Sequence, residues 1–192
     1  VFDMNYTFDA LYFNEIEISS LYLGDFLVWT SETVEPPTPT YDETKVTVVL
    51  LDENDEPTDN VEYFETIADS ATYLKDNATN RYLVHIGADV GITVLDDGSF
   101  SECSSLVKIY LPSGITSIGQ GAFYHCTSLI SIDIPNGVTS IGTGAFNGCV
   151  SLTNATIPIG INSFSQGIFN ACTALTTVNI PNGVTSIGQG AF

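Results

Sequence analysis

Four cysteines, two histidines and 23 acidic side chains are the groups in this 192-residue chain that could do chemistry. The cysteines are Cys103, Cys126, Cys149 and Cys172, each 23 residues after the last. An even number of cysteines permits a disulfide framework. A zinc site needs closely spaced pairs such as Cys-x₂-Cys, and none occurs. His85 stands among apolar neighbours and His125 beside Cys126. Their positions are unrelated, which supports neither a His-based triad nor a metal cluster. In the acidic turn, Asp52, Asn54 and Glu56 offer alternating oxygen ligands for calcium. Pro57 stands where such a loop needs glycine and Tyr63 where it needs glutamate, so a solvated turn is the plainer reading. Asn5-Tyr6-Thr7, Asn77-Ala78-Thr79 and Asn154-Ala155-Thr156 match the N-glycosylation acceptor, a pattern short enough to arise by chance. No catalytic, cofactor-binding or metal-binding set emerges, and the chain reads as non-enzymatic.

The spacing of the cysteines says more than their chemistry. Phe100, Phe123, Phe146, Phe169 and Phe192 keep the same step, as do Leu106, Leu129, Leu152 and Leu175. Pro112, Pro135, Pro158 and Pro181 follow it, and so do Gly114, Gly137, Gly160 and Gly183. Several columns at one period mark an internal repeat, in which each unit buries its apolar face only by stacking on its neighbours.

One unit shows how. In Ser131-Ile132-Asp133-Ile134-Pro135 apolar and polar residues alternate, which predicts a short half-buried strand. Proline ends it, having no N–H for a neighbouring strand. Asn136-Gly137 signals a turn, and Val138 to Ile141 a second short extended piece. Ala145, Phe146, Cys149 and Leu152 then recur at three-residue steps, which predicts a helical or 3₁₀ turn facing the core. On this reading the cysteines fill a packing column as small buried thiols, with Cβ vectors too parallel to favour bridges.

The pattern Gly-Ala-Phe-x-x-Cys-x-x-Leu-x-x-Ile-x-Ile-Pro-x-Gly-Val-Thr-Ser-Ile-Gly at 121–142 resembles the BspA-like (treponemal type) leucine-rich repeats. Residues 144–165 follow it less closely. A degenerate unit precedes them: Gly91 to Leu95 and Gly98 to Phe100 align two periods ahead of 137–141 and 144–146, and Leu83 and Ile86 with Leu129 and Ile132. The resemblance implies a solenoid used for adhesion or protein recognition, without catalysis. The ligand-face candidates are the outward positions of the regular strand. These are Lys108 and Tyr110, Ser131 and Asp133, Asn154 and Thr156, Thr177 and Asn179, which vary while the buried columns do not.

The formal net charge is −19, from 23 acids and four bases, and it is uneven. Residues 1–100 hold 21 acids and three bases, whereas 101–192 are close to neutral. With only Lys45, Lys75, Arg81 and Lys108, the chain lacks the basic patch that phosphate contacts require, so no nucleic-acid partner is expected. Anionic lipid would repel it, and no apolar run is long enough to insert in a membrane. The break divides the chain into four parts. Residues 1–34 are an aromatic-rich β module, 35–42 a Pro/Thr linker, 43–100 a hairpin, helix and degenerate repeat that cap the stack, and 101–192 the repeats. A stack ending at Phe192 would expose its core, so the chain is expected to continue or to be covered there.

Within residues 1–34, Ile16 to Ile18 reads as a strand and Leu21 to Trp29 as a hairpin with Gly24-Asp25 at its turn. Tyr12, Phe13, Tyr22, Phe26 and Trp29 are attachment candidates, offering aromatic surface to a partner. Residues 20–29 resemble short segments of phage structural proteins. The start, Val1-Phe2-Asp3-Met4, has no charged, apolar leader. The first expectation is therefore a virion component with residues 1–35 on the particle and the repeats facing a protein or glycan of the host surface. The alternative is an exported bacterial cell-surface adhesin, held to the envelope through the same residues. A third reading is a structural spacer without ligand. A homo-oligomer, such as a trimer built through residues 1–35, would favour the first of these.

Overall fold

The computed structural model describes residues 39–192 throughout and, before them, only the backbone of four short strands. The chain forms two compact units, 1–38 and 39–192. In the first, β1 (Tyr12–Phe13) pairs antiparallel with β2 (Ile16–Glu17). There β3 (Ser20–Leu23) pairs antiparallel with β4 (Phe26–Thr30), with a bulge between Leu21 and Tyr22. The side chains of the five attachment candidates lie outside the described residues, as does the Gly24-Asp25 turn.

The second unit begins with β5 (Val46–Leu51), β6 (Pro57–Phe64), α1 (Ile67–Asp76) and β7 (Tyr82–Ile86). Short strands follow in pairs: β8 (Val94–Leu95) and β9 (Leu106–Tyr110), β10 (Ser117–Ile118) and β11 (Ser131–Asp133), β12 (Ser140–Ile141) and β13 (Asn154–Thr156). The series ends with β14 (Ser163–Phe164), β15 (Thr177–Val178) and β16 (Ser186–Ile187). The main sheet has seven strands in the order β15-β13-β11-β9-β7-β5-β6. From β7 to β15 neighbours are parallel, and β5 and β6 extend the sheet antiparallel. Each strand is stacked one repeat from the next, with Lys108 opposite Ser131 and Ser131 opposite Asn154. The Pro-x-Gly turn that leaves each strand is closed by a backbone bond, such as Val138 N–H to Pro135 O at 3.0 Å.

Behind this sheet the cysteine-bearing turns form the opposite wall. They are linked three-residue turns, such as Cys149 N–H to Phe146 O at 3.2 Å. Positive φ at Gly144 and Gly148 prevents them from merging into a helix. The turns place Phe100, Phe123, Phe146 and Phe169 in a fully enclosed row. Successive rings lie 5.6, 5.3 and 5.4 Å apart and within 11° of parallel. Each such burial contributes about 1.5–3 kcal/mol, and offset stacking adds to it.

A third wall consists of the small strands, and it is interrupted. Strands β8, β10 and β12 pair in parallel, and so do β14 and β16, but β12 and β14 do not. The close approach of these turns depends on glycine: a Cβ at Gly142 would lie 2.4 Å from Gln120 N. In the next repeat that position is Ser165. Gly142 N–H reaches the Ile118 carbonyl at 2.8 Å, whereas the carbonyl of Ile141 receives the Ser165 hydroxyl at 2.5 Å. The side chain that spreads the two turns thus satisfies the carbonyl it has separated from its neighbour.

At the other end, α1 and the hairpin β5–β6 close the stack. Thr66 caps the helix, accepting from Asp69 N–H at 3.1 Å. Ala71 and Leu74 enter the same core as the Phe row. The Ser105 hydroxyl donates to Leu74 O at 2.9 Å and the Cys103 thiol to Ala71 O at 3.7 Å, so helix backbone occupies the place of a preceding repeat. The register of β7 departs from the period. A bulge between Tyr82 and Leu83 sets Val84 opposite Ile109 and His85 opposite Tyr110. Leu83 therefore leaves the column that its spacing assigned to it and packs with Val49, Leu51 and Val107 on the sheet's outer side.

Candidate recognition surface

Alternation along each short strand decides which side chains meet solvent. Ile109, Ile132 and Ala155 are buried. Their flanking residues form the outer face: Lys108 and Ser131 half-buried, and Tyr110, Asp133, Asn154, Thr156, Thr177 and Asn179 exposed. Seven of the eight ligand-face candidates therefore lie on one side of one sheet, and Asn179 follows directly on β15. Along the rows the chemistry changes at each step. Lys108, Ser131, Asn154 and Thr177 form one row, and Asp133 and Thr156 are register neighbours in the other. The Thr156 hydroxyl donates to Asp133 Oδ1 at 3.5 Å, a long bond that leaves both groups available.

Around Tyr110 the face becomes aromatic. Lys108 Nζ lies 4.8 Å from the Tyr110 ring centroid, within cation–π range. His85 lies 6.2 Å from Tyr110 and stacks on Tyr41 at 4.4 Å. Tyr41 arrives on the segment leading into β5, which is fastened beside the sheet. Glu43 Oε2 accepts Ala88 N–H at 2.8 Å, and its Oε1 is 3.2 Å from His85 Nε2. The bond from Ala88, helped by His85, holds the Glu43 carboxyl below its ordinary range. Burial, and then Tyr110, raise the Tyr41 phenol. Tyr41, Glu43 and His85 thus join the candidate surface beside Tyr110. Period alone would set His85 against Lys108. Only the β7 bulge brings it to Tyr110.

The other reactive groups are occupied by structure. All four cysteines are free and buried. Cys126, Cys149 and Cys172 donate to the Phe carbonyl of the preceding repeat at 3.0, 3.1 and 3.1 Å. Burial pushes Cys103 and Cys172 up to about 11 and Cys149 up to about 12. Thiols held protonated in this way are poor nucleophiles and poor metal ligands. In the acidic turn, Asp52 Oδ1 accepts the N–H groups of Asn54 and Glu56 at 2.8 and 3.0 Å, which lowers its pKa. Asp55 holds Arg81 in a two-pronged pair at 2.5 and 2.9 Å. Asp52 thus serves the turn's own backbone, and Asp55 a neighbouring strand.

The stacked 23-residue units, with their Phe and Cys columns, have a counterpart in a known family. The model of the BspA type leucine rich repeat region matches residues 79–192 in six copies. This chain belongs to the BspA-type leucine-rich repeat family. Among solved structures, a leucine-rich repeat protein from Bacteroides ovatus is 31% identical, with a TM-score of 0.52, over 56% of this chain and 27% of its own length. The leucine rich repeat protein of T. pallidum is 28% identical, with a TM-score of 0.57, over 81% of this chain and 66% of its own. The BspA-type chain therefore spans about a quarter of the first relative and just under two thirds of the second. No curated protein matches it.

Proposed function

We propose that this BspA-type chain is a non-catalytic recognition module whose outer strand face, from His85 and Tyr110 to Asn179, contacts a protein or glycan partner. The observation that carries the reading is a contrast within one repeat. The buried columns hold Leu, Phe and Cys constant, while the outer row changes from Lys108 to Ser131, Asn154 and Thr177 at constant geometry. A fixed scaffold with a variable polar face and one aromatic group suits recognition, and aromatic anchors supply a large share of interface energy. The face carries little charge, so hydroxyls, amides and Tyr110 do the discriminating.

Residues 1–35 serve as the attachment segment. The bacterial origin of both solved relatives supports the envelope of a bacterium as carrier, whereas a virion carrier rests on the likeness of residues 20–29 alone. Among the described residues no helix is long and apolar enough to cross a membrane.

The test is binding of the labelled full chain to intact bacterial and animal cells. Tyr110→Ala and Asp133→Ala are each expected to weaken binding by about tenfold, or about 1.4 kcal/mol. Unchanged binding by both variants would place recognition elsewhere.

A further inference from the structure

A second surface differs in kind from the strand face. Where the third wall meets the cysteine-bearing turns, a shallow concavity of about 360 Å³ opens between successive repeats. Its side chains are Ser101, Gln120, Tyr124, Thr143 and Asn147, and the rest of its wall is glycine backbone. In a chain of net charge −19 this lining holds no charged group. The hydrogen bonds that build the wall run through main chain, except for one to the Asp97 carboxylate beside it. Gly121 N–H donates to Thr143 O at 3.0 Å, Gly144 N–H to Gln166 O at 2.9 Å and Gln120 N–H to Asp97 Oδ1 at 2.6 Å. They leave the Gln120 and Asn147 amides and the Thr143 hydroxyl for a ligand.

Tyr124 is the aromatic member of a column otherwise made of Ser101, Asn147 and Asn170, and it is 38% exposed. Its ring is not loose. His125 stacks against it at 4.2 Å and 14°. The imidazole in turn occupies the space over Gly148, where a Cβ would lie 2.2 Å from His125 Cδ2. The equivalent positions are Glu102 and Ala171, so side chain is tolerated in this column except where the imidazole must fit. Three departures from the repeat, at 124, 125 and 148, thus act together to present one backed aromatic ring to a neutral polar hollow.

We propose that this hollow is a binding site for a neutral saccharide. A pyranose presents an apolar C–H face that suits the Tyr124 ring, and hydroxyls that pair with amides and a threonine as both donors and acceptors. The volume and absence of charge suit one or two sugar rings rather than a peptide or a phosphate. The site is independent of the strand face.

The test is saturation-transfer NMR of the full chain with maltotriose, cellotriose and chitotriose as probes. At least one is expected to bind, with a Kd of about 1 mM. Tyr124→Ala and Gln120→Ala should each weaken it by about tenfold or more, Tyr124→Phe should retain it, and Tyr110→Ala should leave it unchanged. No transfer to any of the three, full binding by Tyr124→Ala, or loss on Tyr110→Ala would overturn the proposal.

Discussion

The Cys149 thiol donates to the carbonyl of Phe123, 26 residues earlier, at 3.1 Å. That carbonyl also accepts Cys126 N–H at 3.2 Å within its own repeat. One oxygen therefore ties two units together, and cysteine supplies both the small volume and the donor.

The bond needs the proton, which gives a dependence on pH. The ordinary thiol value is 9.0, and burial raises Cys149 to about 12. Below pH 9 the folded and unfolded chains both keep the proton and the contribution is complete. As pH rises from there towards the folded values, the unfolded chain sheds protons the folded one retains, and stability falls. Urea midpoints should therefore drop between about pH 9 and about pH 12, and less steeply in Cys149→Ala. A thiol reagent at neutral pH should find no rapidly reacting thiol in the folded chain, and four in denatured, unreduced protein. Fewer than four would mean that bridges form.

Ser165 reverses an ordinary expectation. Alanine usually stabilises relative to glycine. Here Ser165→Ala removes the donor to Ile141 O and keeps the obstructing Cβ, at a cost of about 1–2 kcal/mol. Ser165→Gly removes both and lets β12 and β14 pair as their neighbours do, so it should be the more stable variant. Equilibrium unfolding of the two decides this, and a more stable alanine variant would contradict it.

Two glycines in different turns of the repeat differ sharply. A Cβ at Gly142 meets the backbone of 119–120 at 2.4–2.7 Å, while one at Gly183 meets nothing within 4 Å. Gly142→Ala should cost about 1–3 kcal/mol through overpacking, and Gly183→Ala should stay within about 0.5 kcal/mol of the parent. Thermal unfolding of both variants is the check, and equal effects would contradict the close stacking of 119 and 142.

The parts of this fold visible in the sequence are those that repeat. Phe146 lies under Phe169 because both carry the same local pattern, so one unit predicts all, including which side of Ser131-Ile132-Asp133 faces out. Helix α1 was visible in Ile67, Ala71 and Leu74. What occurs once was not. The bulge at Tyr82 and Leu83 shifts β7 against the period, and no column announces it. The clip of Glu43 to Ala88 joins residues 45 apart through one backbone N–H. It brings Tyr41 from the end of a proline-rich stretch onto His85. The break between β12 and β14 was written in Ser165, but a single serine in a glycine column gains meaning only once the distance between turns is known.

The claim that the outer strand face does the recognising is most directly tested by photo-crosslinking. A photoreactive residue is placed singly in the full chain at Tyr110, at Asp133 and at Thr139, which lies on the third wall, and each variant is illuminated on the cells it binds. Partner adducts from 110 and 133 but not from 139 are the predicted result. Adducts from 139 with none from 110 or 133 would contradict it.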